Sequence, residues 1–190
     1  MVEIKTVAVI GGGALAPTIA LAAARGGYRT ILQNILPTSL RKAENEMRAS
    51  LDQAIQLGQI SHADADSALQ RLEYAGTVEE AARQADLVVE AVPDEMESKL
   101  EIVTLLDKIC RPHTILACTT VSLNVSEIAS VTYRAANILG MRFANEDGGM
   151  KRLEIVPAAA TGDETVAACA EAGHRMGWRV VVIAEGKTGG

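Results

Sequence analysis

Short runs of Val, Ile, Leu and Ala recur along the chain with amphipathic stretches between them, and this alternation predicts βαβ units on a parallel sheet. Strands are expected near 4–10, 29–34, 86–92, 114–118, 138–143, 153–157 and 179–184. The apolar residues between them recur at helical spacing, which predicts helices over 14–25, 39–57, 62–71, 78–84, 94–110, 124–131 and 163–176. Thr38 or Ser39 is placed to open the longest of these, and Ser61 with Asp64 and Thr77 with Glu80 have capping-box spacing. The span 38–72 is too long for one crossover helix. It reads as a helical hairpin broken at Gly58, its polar faces in solvent, free to project from the sheet edge.

Composition changes the picture little. A chain of 190 residues suits one core, and with aromatics at 3% that core is built from Ala, Val, Ile and Leu. The net charge of -6, with Lys and Arg scattered, gives no footprint for a phosphate backbone, so no nucleic acid is expected. Cys110, Cys118 and Cys169 lack metal-ligand or redox-pair spacing and read as buried, reduced thiols, with no metal site. No leader pattern and no run near about 18 apolar residues is present, so the expectation is a soluble, cytoplasmic protein with no membrane partner.

The stretch Gly11-Gly12-Gly13-Ala14-Leu15-Ala16 has G-x-G-x-x-A spacing between a strand and a helix, the context in which that motif binds a dinucleotide. Gly11 permits the turn, Gly13 lets backbone reach a pyrophosphate, and Ala16 allows close packing of helix on strand. The helix start supplies free N–H groups and partial positive charge, and Pro17 is tolerated in its first turn. The fold class is therefore α/β: a Rossmann-type doubly wound, mostly parallel sheet with helices on both faces and the hairpin inserted near 38–72. Residues 1–184 read as a single dinucleotide-binding domain and 185–190 as a flexible tail. An acid about 20 residues after the turn normally accepts the ribose hydroxyls of NAD. Here that position is Asn34, which offers its carbonyl without the charge that repels a 2′-phosphate, so NAD is expected and NADP is not excluded. Arg41 and Lys42 lie too far along to be assigned as a phosphate clamp.

Four blocks in order, GGGALAPTIA at 11–20, ADLVVEAVPDEMESKLEIVTLLD at 85–107, TILACTTVSLNVSEIA at 114–129 and ILGMRFANEDGGMKRLEIV at 138–156, resemble the NAD-binding domain of the 3-hydroxyacyl-CoA dehydrogenases. The resemblance implies that the turn residues Gly11, Gly13, Ala14 and Leu15, then Asn34, Ala91, Val92, Asp94, Lys99 and Thr119, lie against NAD. Read alone, Asp94 caps the helix after Pro93 and Lys99 is a solvated helix charge. The resemblance likewise makes Ser122 a substrate-positioning serine and Asn145 the asparagine that steadies catalysis, although Ser122 is as well placed to cap the next helix.

Oxidising a secondary hydroxyl needs a base at that oxygen. The family's H-F-F-N-P motif supplies a His, oriented by a Glu twelve residues on. This chain keeps Glu154 but has Arg142-Phe143-Ala144-Asn145-Glu146 in the motif's place, and arginine cannot accept the proton. Ala144 replaces an aromatic, Glu146 a proline, and Thr119 an asparagine near the nicotinamide. Arg142 and Glu154 are expected to pair as a fork on a carboxylate. His62, His113 and His174 read as surface residues. The resemblance also implies a helical C-terminal domain that the sequence ending in Gly190 does not include, which leaves open a homodimer or a separate chain that supplies it. Three readings stand: a dehydrogenase of a small-molecule substrate such as an acyl-CoA, in fatty acid metabolism; a catalytically silent module that holds an anionic ligand at Arg142; and, ranked last, a structural relative that binds no nucleotide and keeps the turn for packing alone.

Overall fold

The computed structural model describes residues 3–145 and 151–186. In chain order the elements are β1 (Thr6–Ile10), α1 (Leu15–Arg25), β2 (Arg29–Gln33), α2 (Pro37–Gln56), α3 (His62–Gln70), β3 (Leu72–Ala75), α4 (Val78–Ala82), β4 (Leu87–Glu90), α5 (Met96–Ile109), β5 (Ile115–Thr119), α6 (Val125–Ala129), β6 (Ile138–Asn145), β7 (Lys151–Pro157), α7 (Asp163–Arg175) and β8 (Arg179–Val182). They form one eight-stranded sheet in the order β3-β2-β1-β4-β5-β6-β7-β8. All pairings are parallel except β6 with β7, and β8 runs parallel to β7.

The central strands are apolar throughout because each faces a helical layer on both sides. Val7, Val9, Leu87 and Val89 enter the core shared with α1, α2 and α7. Ala8, Ile10, Val88 and Leu116 enter the core shared with α4, α5 and α6. The alanines of α1, including Ala16, Ala20 and Ala23, are buried, so this helix lies close on the sheet.

The capping expectations hold at Ser61, which forms a reciprocal box with Asp64, and at Thr77, which accepts from Glu80 N. They need correction at α2. That helix begins at Pro37, whose missing N–H suits the first helical position, with Leu36 as its cap in place of Thr38 or Ser39. The hairpin breaks at Gly58, where φ is 67°. It does not project: Ala43, Met47, Leu51 and Ala54 bury one face of α2, and Met47 and Leu51 join the core around α1. α2 and α3 are thus the crossover from β2 to β3.

β3 is absent from the strand expectations because its residues do not look like a buried strand. It is an edge strand in which only Ala75 is buried, and Glu73 meets Arg29 of β2 through two hydrogen bonds of 2.7 Å. A charged, short edge discourages pairing with other chains. Glu185, expected in a loose tail, is held: its carboxylate accepts from Ser126 N at 2.8 Å and Ser126 Oγ at 2.6 Å. Residues 187–190 lie outside the described residues.

The amino ends of the parallel strands, the lower rim, are tied by charged groups. Asp86 accepts from Lys5 N and Thr6 N, both at 2.9 Å, and pairs with Arg111 at 2.8 Å. Arg134 pairs with Asp107 at 2.7 Å and donates to the carbonyls of Asp107, Cys110, Arg111 and Thr114. The three thiols are buried and free. Burial pushes Cys110 up to about 11 and Cys169 up to about 12, and raises Cys118 further, so none is a thiolate near neutrality.

The docked hairpin makes a measurable demand. Met47→Ala should cost about 2–5 kcal/mol in urea unfolding, as truncations in a packed core do. A cost under about 0.5 kcal/mol, typical of a surface change, would mean that the hairpin is not part of the core.

Candidate functional site: two clefts meeting at a glycine turn

Strand order reverses between β1 and β4, so the loops after these strands diverge and leave a crevice at the carboxyl ends, the upper rim. Gly11 occupies the start of that crevice at φ 120°, a conformation that favours glycine. A Cβ there would stand 2.6 Å from Ala91 O, and one on Gly13 would stand 3.2 Å from it. The turn is therefore shaped by a backbone that passes directly against it. Gly11 N donates to Gln33 O at 3.2 Å, and Ala91 N donates to Ile10 O at 2.7 Å. α1 starts immediately beyond, at Leu15, without a side-chain cap.

Two clefts flank this turn and share Gly13 and Ala14. One, of about 280 Å³, lies between the turn, Asn34 and the first turns of α2. The other, of about 230 Å³, lies between the turn and the ends of β4, β5 and β6. A dinucleotide needs this plan: two recesses for its two nucleoside halves, with the pyrophosphate between them at uncapped helix N–H groups. The turn, held without side chains by its close approach to Ala91 and Asn34, and the uncapped start of α1 fit that group.

Of the residues singled out from sequence, Gly11, Gly13, Ala14 and Asn34 line the first cleft. Gly13, Ala14, Leu15, Ala91, Val92, Asp94, Thr119 and Arg142 line the second. Asp94 does not cap α5; its carboxylate accepts from Val121 N at 3.0 Å and so joins the loops after β4 and β5. Ser122 is exposed beside them and is not the cap of α6, a role taken by Asn124. Asn145 closes β6, and its side chain, like Glu146, lies outside the described residues. His62, His113 and His174 are exposed and line neither cleft.

Asn34 differs from its expected role in one respect. Its carbonyl oxygen is not turned to a ligand: it accepts from Leu36 N at 2.9 Å, an Asx-type turn that feeds the chain into α2. Lys99 is not a solvated charge either. It is fully buried, with Nζ 3.0 and 3.1 Å from the two carboxylate oxygens of Glu90 and 3.4 Å from Val92 O. Glu90 also accepts from Val92 N at 2.6 Å. Burial pushes the Glu90 carboxyl above its usual range, and the Lys99 ammonium pulls it back down. The pair braces the Ala91–Val92 backbone from beneath.

At the far wall Arg142 and Glu154 stand opposite each other across β6 and β7. The expected pair is present, but as a loose ion pair rather than a fork. Arg142 NH1 is 3.9 Å from Glu154 Oε2, and Arg142 Nε donates instead to Thr120 O at 3.1 Å. Arg152, which sequence reasoning missed, takes the tight contact with Glu154 at 2.6 Å. Its signal was available as alternation along β7, which puts residues 152 and 154 on one face. Lys42, set aside from sequence as too far along, and Ser39, read there as a helix opener, both line the first cleft because α2 folds back over it; Glu46 in the first cleft and Thr120, Val121 and Phe143 in the second were missed. Phe143 is set by Trp178, whose ring it meets edge-on at 5.1 Å.

The buried brace can be separated from the clefts. Lys99→Met should lower stability by about 3–5 kcal/mol, because an uncompensated carboxylate stays buried. Adding Glu90→Gln should recover most of the loss in urea unfolding; a single variant as stable as the parent would show that Glu90 finds its partner elsewhere.

Comparison with known proteins agrees with this plan. The family model described as 3-hydroxyacyl-CoA dehydrogenase, NAD binding domain, matches residues 6–186. A probable 3-hydroxybutyryl-CoA dehydrogenase of Bacillus subtilis (strain 168) is 34% identical over 181 residues, which cover 95% of this chain and 63% of that protein. A 3-hydroxyadipyl-CoA dehydrogenase of Escherichia coli (strain K12) is 31% identical over 166 residues, 87% of this chain and 35% of that one. The crystal structure of an (S)-3-hydroxybutyryl-CoA dehydrogenase from Ralstonia eutropha superposes with a TM-score of 0.90 at 28% identity, covering 96% of this chain and 64% of that chain. The chain thus spans less than two-thirds of the length of these relatives. With a glycine turn, two clefts and a family match that runs nearly end to end, the chain belongs to the NAD-binding domain family of the 3-hydroxyacyl-CoA dehydrogenases.

Proposed function

We propose that the chain holds NAD(H) across its two clefts and that the family reaction, hydride transfer between NAD and a 3-hydroxyacyl-CoA, is impaired in it. The observation that carries this reading is Arg142. Arg142 lines the second cleft, at the position where the family reaction needs a base, and its Nε donates to Thr120 O. A guanidinium stays protonated and offers no lone pair to a hydroxyl proton. Bound NAD supplies the hydride acceptor; the protein must supply the base, and no histidine lines this cleft. Glu154 is 5% exposed and engaged by Arg152, so it is poorly placed to take the proton itself.

The remaining residues support binding. Gly11 and Gly13 let the turn pass directly against the Ala91 backbone, and Asp94, Thr119 and Thr120 add polar groups to the lining of the second cleft. A second reading, a silent dinucleotide module that holds an anionic ligand at Arg142, is favoured by the same guanidinium, since a cation fixed by a carbonyl in a partly enclosed cleft suits a carboxylate or phosphate. Completion of the site by a second copy or by another chain remains part of the proposal, as does a cytoplasmic setting.

Calorimetric titration with NADH followed by a 3-oxoacyl-CoA, with nicotinamide absorbance recorded, tests this. Binding with little or no oxidation of NADH is expected. Arg142→His should then raise the rate by at least about tenfold, a small part of what a placed acid–base contributes. Turnover by the parent equal to that of the variant would mean that another group does the proton transfer.

A further inference from the structure

The ribose end of the first cleft offers a ligand something an acidic residue could not. A backbone N–H only donates, so the oxygen of the Asn34 amide must be the atom that meets Leu36 N. Its NH₂ is thereby turned toward Gly12, where a Cβ would collide with Nδ2, so the glycine makes room for this orientation. Asn34 presents donors to the cleft. An Asp at the same place presents acceptors and a negative charge, which welcome a free ribose hydroxyl and repel a phosphate on it.

Folding also brings Ser39 and Lys42 of α2 to this cleft, close to Asn34 although Lys42 is eight residues further along the chain. Lys42 is well exposed, and its ammonium is 3.8 Å from Glu46, a long surface contact of the kind that binds weakly in water. Turning toward a stronger anion therefore costs it little. Lys42 and Glu46 are the charged residues among those that line the cleft, so their charges offset each other and neither faces an acid at position 34.

We propose that this chain accepts the 2′-phosphorylated dinucleotide NADP(H) as well as NAD(H), the phosphate being received by Asn34, Ser39 and Lys42. This rests on the dinucleotide reading above and adds the determinant of cofactor choice. Both dinucleotides present ribose oxygens that the Asn34 NH₂ can serve, but only the phosphorylated one gains from Lys42. Selectivity against NADP(H) is the property lost when the acid at this position is lost.

The test is calorimetric titration of the chain with NADH and NADPH, and with ADP and adenosine 2′,5′-bisphosphate, at matched ionic strength. The Kd values for NADH and NADPH should agree within about tenfold, and added salt should weaken NADPH more, because a surface ammonium and phosphate are screened. Asn34→Asp should weaken NADPH by about tenfold or more while NADH binding holds or tightens, since like charges then meet. Lys42→Ala, on an exposed helix position, should weaken NADPH and the bisphosphate several-fold more than it weakens NADH and ADP. NADPH binding about a hundredfold weaker than NADH, or equal effects of both variants on both dinucleotides, would overturn the proposal. Binding of neither dinucleotide would overturn it together with the reading on which it rests.

Discussion

Gly11 is held between three strands at once. It directly follows β1, its N–H reaches β2 through Gln33 O, and a Cβ on it would collide with the carbonyl of Ala91, the residue after β4. The reversal of strand order, the start of α1 and the meeting of the two clefts all occur at this point. A larger residue would have to push β1 from β4, and the parallel pairing from Val7 to Ile10 depends on their contact. The rest of the upper rim is arranged around that constraint: Glu90 and Lys99 fix the opposing backbone from below, and Asp94 fixes it to the loop after β5.

Most of the architecture is legible in the chain because the strands are buried on both faces and read as continuous apolar runs. The exceptions have local causes. β3 has one buried residue and a charge pair with its neighbour, which is what an edge strand looks like and also what a loop looks like. α2 opens at a proline rather than at a hydroxyl because the Asn34 side chain has already set the entry by accepting from Leu36 N. The polar stripe of α2 suggested a projecting arm, but Met47 and Leu51 on its other face outweigh it.

The candidate site was legible as residue types and less so as contacts. The glycine turn is legible because its spacing falls between an apolar strand and a helix, the context that makes the motif informative. Lys99 looks like any helix lysine, and only packing reveals that it is buried against Glu90. The relation of Arg142 to Glu154 follows from register across β6 and β7, but their separation follows from Arg152 and Thr120, which compete for the two groups. Competition of this kind depends on positions fixed by folding and leaves no periodic trace.

The staples at the lower rim have a consequence for how such a protein changes. Asp86 and Arg134 clamp the starts of the strands through backbone atoms of several segments, so these ties lie at the end of the sheet away from the clefts. Asn34 and Arg142 both stand at the opposite rim, in the linings of the clefts. An exchange of side chain at either position leaves those ties untouched, so the lining of the clefts is free to vary while the fold remains the same.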